Sequence, residues 1–141
     1  MKSVKIKTCP NSIASLDSLL KNVLEEYHID DVYFPTILIS LTEALNNAIH
    51  HGNLLDKSKS IFLKYGIAGN LLTFRIKDEG SGFNEKNLEN PTIDENLECC
   101  GGRGVWIMRE LAHELRYLNN GTEVEISFKV NFKHVPSAAI H

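Results

Sequence analysis

Cysteine, tryptophan and proline are scarce in this chain of 141 residues, at three, one and four. Cys99 and Cys100 are adjacent and Cys9 stands far from them. Adjacent cysteines suit neither a disulfide framework nor a Cys-x-x-Cys zinc pair, so free thiols in a reducing, cytoplasmic compartment are expected. No apolar run approaches the ~20 residues that cross a bilayer. There is no basic excess: 15 Lys and Arg against 18 Asp and Glu leave a net charge of −3. That balance removes the usual electrostatic footprint for nucleic acid or a membrane surface. Repeats, low-complexity tracts and Pro/Gly-rich linkers are missing as well. The first seven residues alternate charge with apolarity and lack a hydrophobic core region, which predicts no signal peptide.

What is present fits an ordinary globular domain. Hydrophobic residues make up 43% and charged residues 23%, near the average, and ~150 residues per domain makes this a single one, over 1–132 with a loose tail over 133–141. Residues 3–8 alternate and read as a strand. Asn11 or Ser12 caps a helix over about 13–28, with Ile13, Leu16, Leu19, Leu20, Val23 and Leu24 on one stripe. Asp30 or Asp31 opens a second helix with Pro35 in its first turn, running to Gly52 as a C′ stop. Residues 60–66 and 70–77 form a hairpin around Ala68-Gly69-Asn70. A polar, irregular stretch over 83–101 is long enough to be a functional loop. A third helix fits 103–114, and strands over 115–119 and 122–132 flank Asn119-Asn120-Gly121. The order predicts an α+β, two-layer α/β sandwich: a mostly antiparallel mixed sheet with helices on one face.

Three segments carry chemistry. In the second helix, Ile37, Leu41, Ala44, Leu45, Ala48 and Ile49 fall on a core-facing arc at 100° per residue. Opposite lie Ser40, Glu43, Asn46, Asn47, His50 and His51, a face with no Lys or Arg. Asparagine is a poor helix former, so a mid-helix pair suggests a function. Glu43 and Asn47 are i,i+4 and share a face; Glu43 can accept a proton and Asn47 offers a hard oxygen for Mg²⁺. The corner Asp78-Glu79-Gly80-Ser81-Gly82 follows a strand, where an ionised Asp accepts strong hydrogen bonds from an amine and glycines permit close backbone approach. Gly101-Gly102-Arg103-Gly104 precedes a helix, and helix N-termini bind phosphate. Taken alone, each glycine cluster reads equally as a turn or a hinge.

Together, Glu43-Ala-Leu-Asn-Asn47-Ala-Ile-His, Asp78-Glu-Gly-Ser-Gly82 and Gly102-Arg-Gly104 stand in the order and spacing of the GHKL, or Bergerat-fold, ATPase superfamily. Gly121-Thr122-Glu123-Val124 resembles its last motif, and the Glu-Ala-x-x-Asn-Ala-x-x-His-Gly run most resembles the small bacterial anti-sigma-factor serine kinases. The resemblance implies that Glu43 is the general base and that Asn47 ligates the Mg²⁺ bridging the ATP phosphates. Asp78 would bind the adenine amine with Thr122 in support. Gly80 and Gly82 would admit base and ribose, and residues 83–101 would form the ATP lid. Gly102, Arg103 and Gly104 would meet the phosphates. It further implies transfer of the γ-phosphoryl group to a serine of an anti-sigma-factor antagonist protein, sequestration of a sigma factor, and homodimerisation. One departure stands out: residues 84–100 carry five acids and one base, Lys86, where family members commonly place a basic residue. Arg103 is the nearest source of compensating charge. The alternative reading is a nucleotide-sensing module that binds its partner without phosphorylating it.

Overall fold

The computed structural model describes residues 1–81 and 110–133. Gly82, Gly102, Arg103 and Gly104 lie outside the described residues, as do the 83–101 loop, Cys99-Cys100, most of the third helix and the tail beyond Lys133. Five strands form one sheet: β1 (Lys2–Lys7), β2 (Ser60–Ala68), β3 (Leu71–Lys77), β4 (Glu114–Leu118) and β5 (Glu123–Lys129). Their order is β1-β2-β3-β5-β4 and all four pairings are antiparallel. Period-2 patterning assigns the faces. Ile61 and Leu63, Leu72, Phe74 and Ile76, and Val124, Ile126 and Phe128 point into the core. The other face carries Lys64, Arg75 and Arg116. There Arg75 Nε donates to Glu125 Oε2 at 2.7 Å, and Arg116 donates to Oε1. Burial pushes the Glu125 carboxyl up, but the hydrogen bonds from Arg116 and Arg75 outweigh it and hold it below the usual range.

Two helices cover the core face: α1 (Leu16–Glu26) and α2 (Phe34–Asn47). The expected first helix begins as a 3₁₀ segment, Pro10–Ser15, and continues as α1, which buries Leu16, Leu20, Val23 and Leu24 of the predicted stripe, while Ile13 and Leu19 are only partly buried at its edge. It stops where His28 turns left-handed at φ 56°, with Ile29 N–H donating to Leu24 O at 2.8 Å, a C-terminal device glycine usually supplies. Asp30 caps the next turn, accepting from Val32 N–H at 3.0 Å, and α2 follows with Pro35 in its first turn. Ile37, Leu41, Leu45 and Ile49 are fully buried. Tyr27, Tyr65, Phe74 and Phe128 line up beneath the helices with successive ring centroids 6.2, 6.4 and 6.2 Å apart, within the range of favourable aromatic pairs.

The chain after β5 is strapped to the α1–α2 connection. Asp30 N–H donates to Asn131 O at 3.0 Å and Lys133 N–H to His28 O at 2.7 Å, with Ile29 and Phe132 bridged between them. Two sequence expectations shift. The third helix was expected to reach residue 114, but Glu110 and Leu111 are its last helical residues and Glu114 already pairs with Ser127 in the sheet. Ser40, expected on the polar face, is fully buried, because its hydroxyl donates to Thr36 O at 3.2 Å and so satisfies itself within the helix.

Leu45→Ala is expected to cost about 3 kcal/mol in urea unfolding, from lost transfer energy plus a residual cavity. Ile39, on the same helix but 48% exposed, is expected to change stability by no more than about 0.5 kcal/mol when replaced by Ala.

Candidate functional site

The α2 hydrogen-bond ladder does not end at Asn47. It widens into a π-turn over Ala48–Gly52, in which Asn53 N–H donates to Ala48 O at 2.8 Å. Single π-turns inside helices recur at functional positions. Here the wider turn carries Gly52 against the end of β3. Gly52 is not left-handed, so its role as a C′ stop is not the one sequence suggests. Its reason is clearance. A Cβ there would lie 2.3 Å from Asp78 Oδ2 and 2.4 Å from Asp78 Cγ. Gly80 is a glycine on the same ground, since a Cβ on it would lie 2.0 Å from the carbonyl oxygen of Gly52.

Asp78 is thereby closed in, with 8% of its surface exposed. Its N–H donates to Thr122 O at 2.8 Å, and its Oδ1 accepts from Gly80 N–H at 2.8 Å. Burial raises its carboxyl above the ordinary range, against the smaller opposing effects of the Gly80 hydrogen bond and the Lys59 charge. A buried carboxylate with so little neutralisation destabilises the fold unless a donor arrives. Among sequence-derived site residues, the structure therefore joins Asp78, Gly80 and Thr122 directly. The link from Thr122 is made by its main chain, while its hydroxyl donates to Asn119 O at 2.8 Å. Glu43 and Asn47 sit one turn apart on α2, both half-buried, with Asn47 the last residue before the π-turn. His50 and His51 are exposed on that turn, and desolvation followed by the His50 charge lowers the His51 pKa. Among the described residues no group of three or more His, Cys, Asp or Glu is placed to hold a metal ion. A hydrated Mg²⁺ shared with phosphates needs only one or two protein oxygens, and the half-buried Glu43 and Asn47 suit that.

Sequence reasoning missed Asn53. It is fully buried, and its Oδ1 accepts from Glu79 N–H at 2.7 Å. Its Nδ2 donates to Thr8 Oγ1 at 2.9 Å and Ser60 O at 3.1 Å. Glu79 is held a second time, its Oε2 accepting from Ser60 N–H at 2.6 Å. No periodicity marks an asparagine after a helix-ending glycine; the only available signal was its place directly after His51-Gly52.

The family model described as histidine kinase-like ATPase domain matches residues 6–128. The chain is 27% identical over 118 residues to the serine-protein kinase RsbW of Bacillus licheniformis, covering 77% of this chain and 71% of that one. It is 24% identical over 143 residues to the serine-protein kinase RsbW of Bacillus subtilis (strain 168), covering 94% and 87%. Among solved structures, the RsbU and RsbW domains of Rv1364c from Mycobacterium tuberculosis superpose with a TM-score of 0.60 at 14% identity. That match covers 92% of this chain and a third (33%) of that one, and it shows the α+β fold.

The raised Asp78 pKa fixes the sign of a pH effect. Its contribution to stability is fully present below the ordinary carboxyl value of 3.8 and is lost as pH rises through the raised native value. Asp78→Asn is therefore expected to have a higher urea midpoint than wild type at pH 7, the two converging near pH 3. Gly52→Ala is expected to lose about 1–3 kcal/mol by overpacking and to push the Asp78 carboxyl toward water. NMR titration of that carboxyl should then show its pKa falling toward the ordinary range.

Proposed function

We propose, from the premise that this chain belongs to the histidine kinase-like ATPase domain family, that it binds ATP with Mg²⁺ and phosphorylates a serine of a small antagonist protein. The observation that carries the reading is the buried Asp78 carboxylate, which among the described residues has a single backbone donor, at a corner packed against the end of the helix bearing Glu43 and Asn47. A desolvated carboxylate at a corner packed by glycines suits an exocyclic amine, the group that distinguishes adenine. Asp78 accepts from that amine. Asn47 would contribute an oxygen to Mg²⁺. Glu43 would take the hydroxyl proton of the acceptor serine as its oxygen attacks the γ-phosphorus, the bond from that phosphorus to the bridging oxygen breaks and ADP leaves. ATP supplies the phosphoryl group and the metal its charge neutralisation, leaving the protein mainly the task of positioning. Gly82, Gly102, Arg103 and Gly104, outside the described residues, would by the family resemblance serve the nucleotide, with the Arg103 charge set against the net −4 of residues 84–100.

The likeness to two serine-protein kinases supports phosphotransfer to protein. Within this reading the chain also holds a sigma factor away from RNA polymerase, acts in the cytoplasm and works as a homodimer. No helix among the described residues is long and apolar enough to cross a membrane. The second reading, a nucleotide-dependent binder that transfers no phosphate, is favoured by one observation, the net −4 charge of residues 84–100.

Asp78→Asn is expected to weaken ATP binding in calorimetry by about 1.5–3 kcal/mol, the worth of a hydrogen bond to a charged group. Glu43→Ala is expected to bind ATP normally and yield no phosphorylated antagonist by mass spectrometry. Phosphate appearing on the antagonist with Glu43→Ala would remove the base assignment, and none with wild type would favour the second reading.

A further inference from the structure

We infer that Asn53 is a positioning residue for adenine recognition, acting on Asp78 through the backbone of Glu79. The inference rests on the nucleotide reading above and goes beyond it, because Asn53 belongs to none of the segments that carry the family resemblance. Three features support it. Asn53 is fully buried, so every polar atom it carries must be matched inside the protein. Its amide is matched in three directions, toward β1 through Thr8, toward the start of β2 through the Ser60 carbonyl, and toward the corner after β3 through Glu79 N–H. Thr8 is itself buried and donates to Lys59 O at 2.6 Å, so the β1 and β2 contacts brace Asn53 from behind.

The corner has little slack. Asp78 is fixed on one side by its N–H bond to Thr122 O, and Gly80 N–H reaches back to Asp78 Oδ1. Glu79 lies between them, with Asn53 holding its N–H and Ser60 holding its carboxylate. Loss of the Asn53 acceptor leaves the Glu79 N–H unmatched in a part-buried place, and the least costly response is for the corner to turn that N–H toward water. The Asp78 carboxylate shares the corner and moves with it. A hydrogen bond to an amine depends steeply on distance and angle, so such a shift reduces adenine selectivity before it unfolds the domain.

The test is calorimetric titration of ADP and of GDP, separately, into the whole chain as wild type, Asn53→Ala, Asp78→Asn and Phe128→Leu. Phe128 is a buried residue at the opposite end of the β3–β5 ladder and serves as the destabilising control. Expected for Asn53→Ala is a roughly tenfold weaker ADP affinity and a smaller ratio of ADP to GDP affinity, while Phe128→Leu lowers the urea midpoint and leaves both nucleotides unchanged. A folded Asn53→Ala with wild-type ADP affinity and selectivity overturns the inference, as does an equal loss in Phe128→Leu. No ADP binding by the wild type would instead overturn the nucleotide reading itself, and full ADP affinity in Asp78→Asn would remove Asp78 from adenine recognition and the inference with it. Should Asn53→Ala not fold, amide exchange in the wild type decides: a protected Glu79 N–H supports the clamp, and exchange at the rate of an open loop removes it.

Discussion

The α2 helix and the β3 strand meet with no room for a side chain between them. A Cβ on Gly52 or on Gly80 would penetrate the facing segment to 2.3 or 2.0 Å, so the two backbones touch directly. That contact is reached because the helix widens by one residue in its last turn. A regular α-helical ending would place Gly52 at a different angle, and the strand end with its carboxylate would lose its wall. The burial of Asp78, the corner geometry of Glu79 and Gly80 and the tie to Asn53 all follow from this clearance. The sheet and helices supply the scaffold, but a pair of missing methyl groups sets the site.

Two carboxylates on neighbouring strands show how the protein handles buried charge. Glu125 and Asp78 are almost equally inaccessible, at 7% and 8% exposed. Their titrations shift in opposite directions. Glu125 has two guanidinium groups against it, and their hydrogen bonds exceed its desolvation. Among the described residues Asp78 has one backbone donor and a lysine acting at longer range, and its desolvation wins. The first arrangement is complete within the chain and contributes to holding the open face of the sheet together. The second leaves desolvation dominant at one defined carboxylate, a local cost of the kind that folds carry at functional sites.

Much of this was legible in the sequence, for reasons that can be named. The α2 stripe of Ile37, Leu41, Leu45 and Ile49 follows a 3.6-residue period that has one structural solution, and the β2–β3 hairpin announces itself by alternation around Ala68-Gly69-Asn70. Asp30 caps as its residue type predicts. Glu43, Asn47 and Asp78 stand out in the sequence because unusual residue types occur at meaningful spacings, and the structure joins Asp78 to Thr122 by a main-chain hydrogen bond. What periodicity could not reveal was tertiary. Gly52 reads as a left-handed stop when only helix endings are considered, whereas its purpose is an approach to a segment some 25 residues away. Ser40 belongs to a polar arc on a helical wheel, yet a hydroxyl that bonds its own preceding turn can be buried without cost. Asn53 and Thr8 carry no local pattern, because their partners come from four separate parts of the chain. The third helix ends sooner than its apolar residues suggest because strand pairing with β5 claims Glu114.

The strap that joins residues 130–133 to the α1–α2 connection gives the molecule a particular assembly logic. The turn between the two helices takes hydrogen bonds from the segment after β5, about a hundred residues later in the chain. The helical layer is made early during synthesis, but its central joint is secured only when the last strand has entered the sheet between β3 and β4. Contacts of such long sequence separation slow folding, because loop-closure entropy is lost before they form. A chain emerging from the ribosome therefore carries an unfastened apolar helix pair until about a hundred further residues have been made, and the closing stitch comes from residues 130–133.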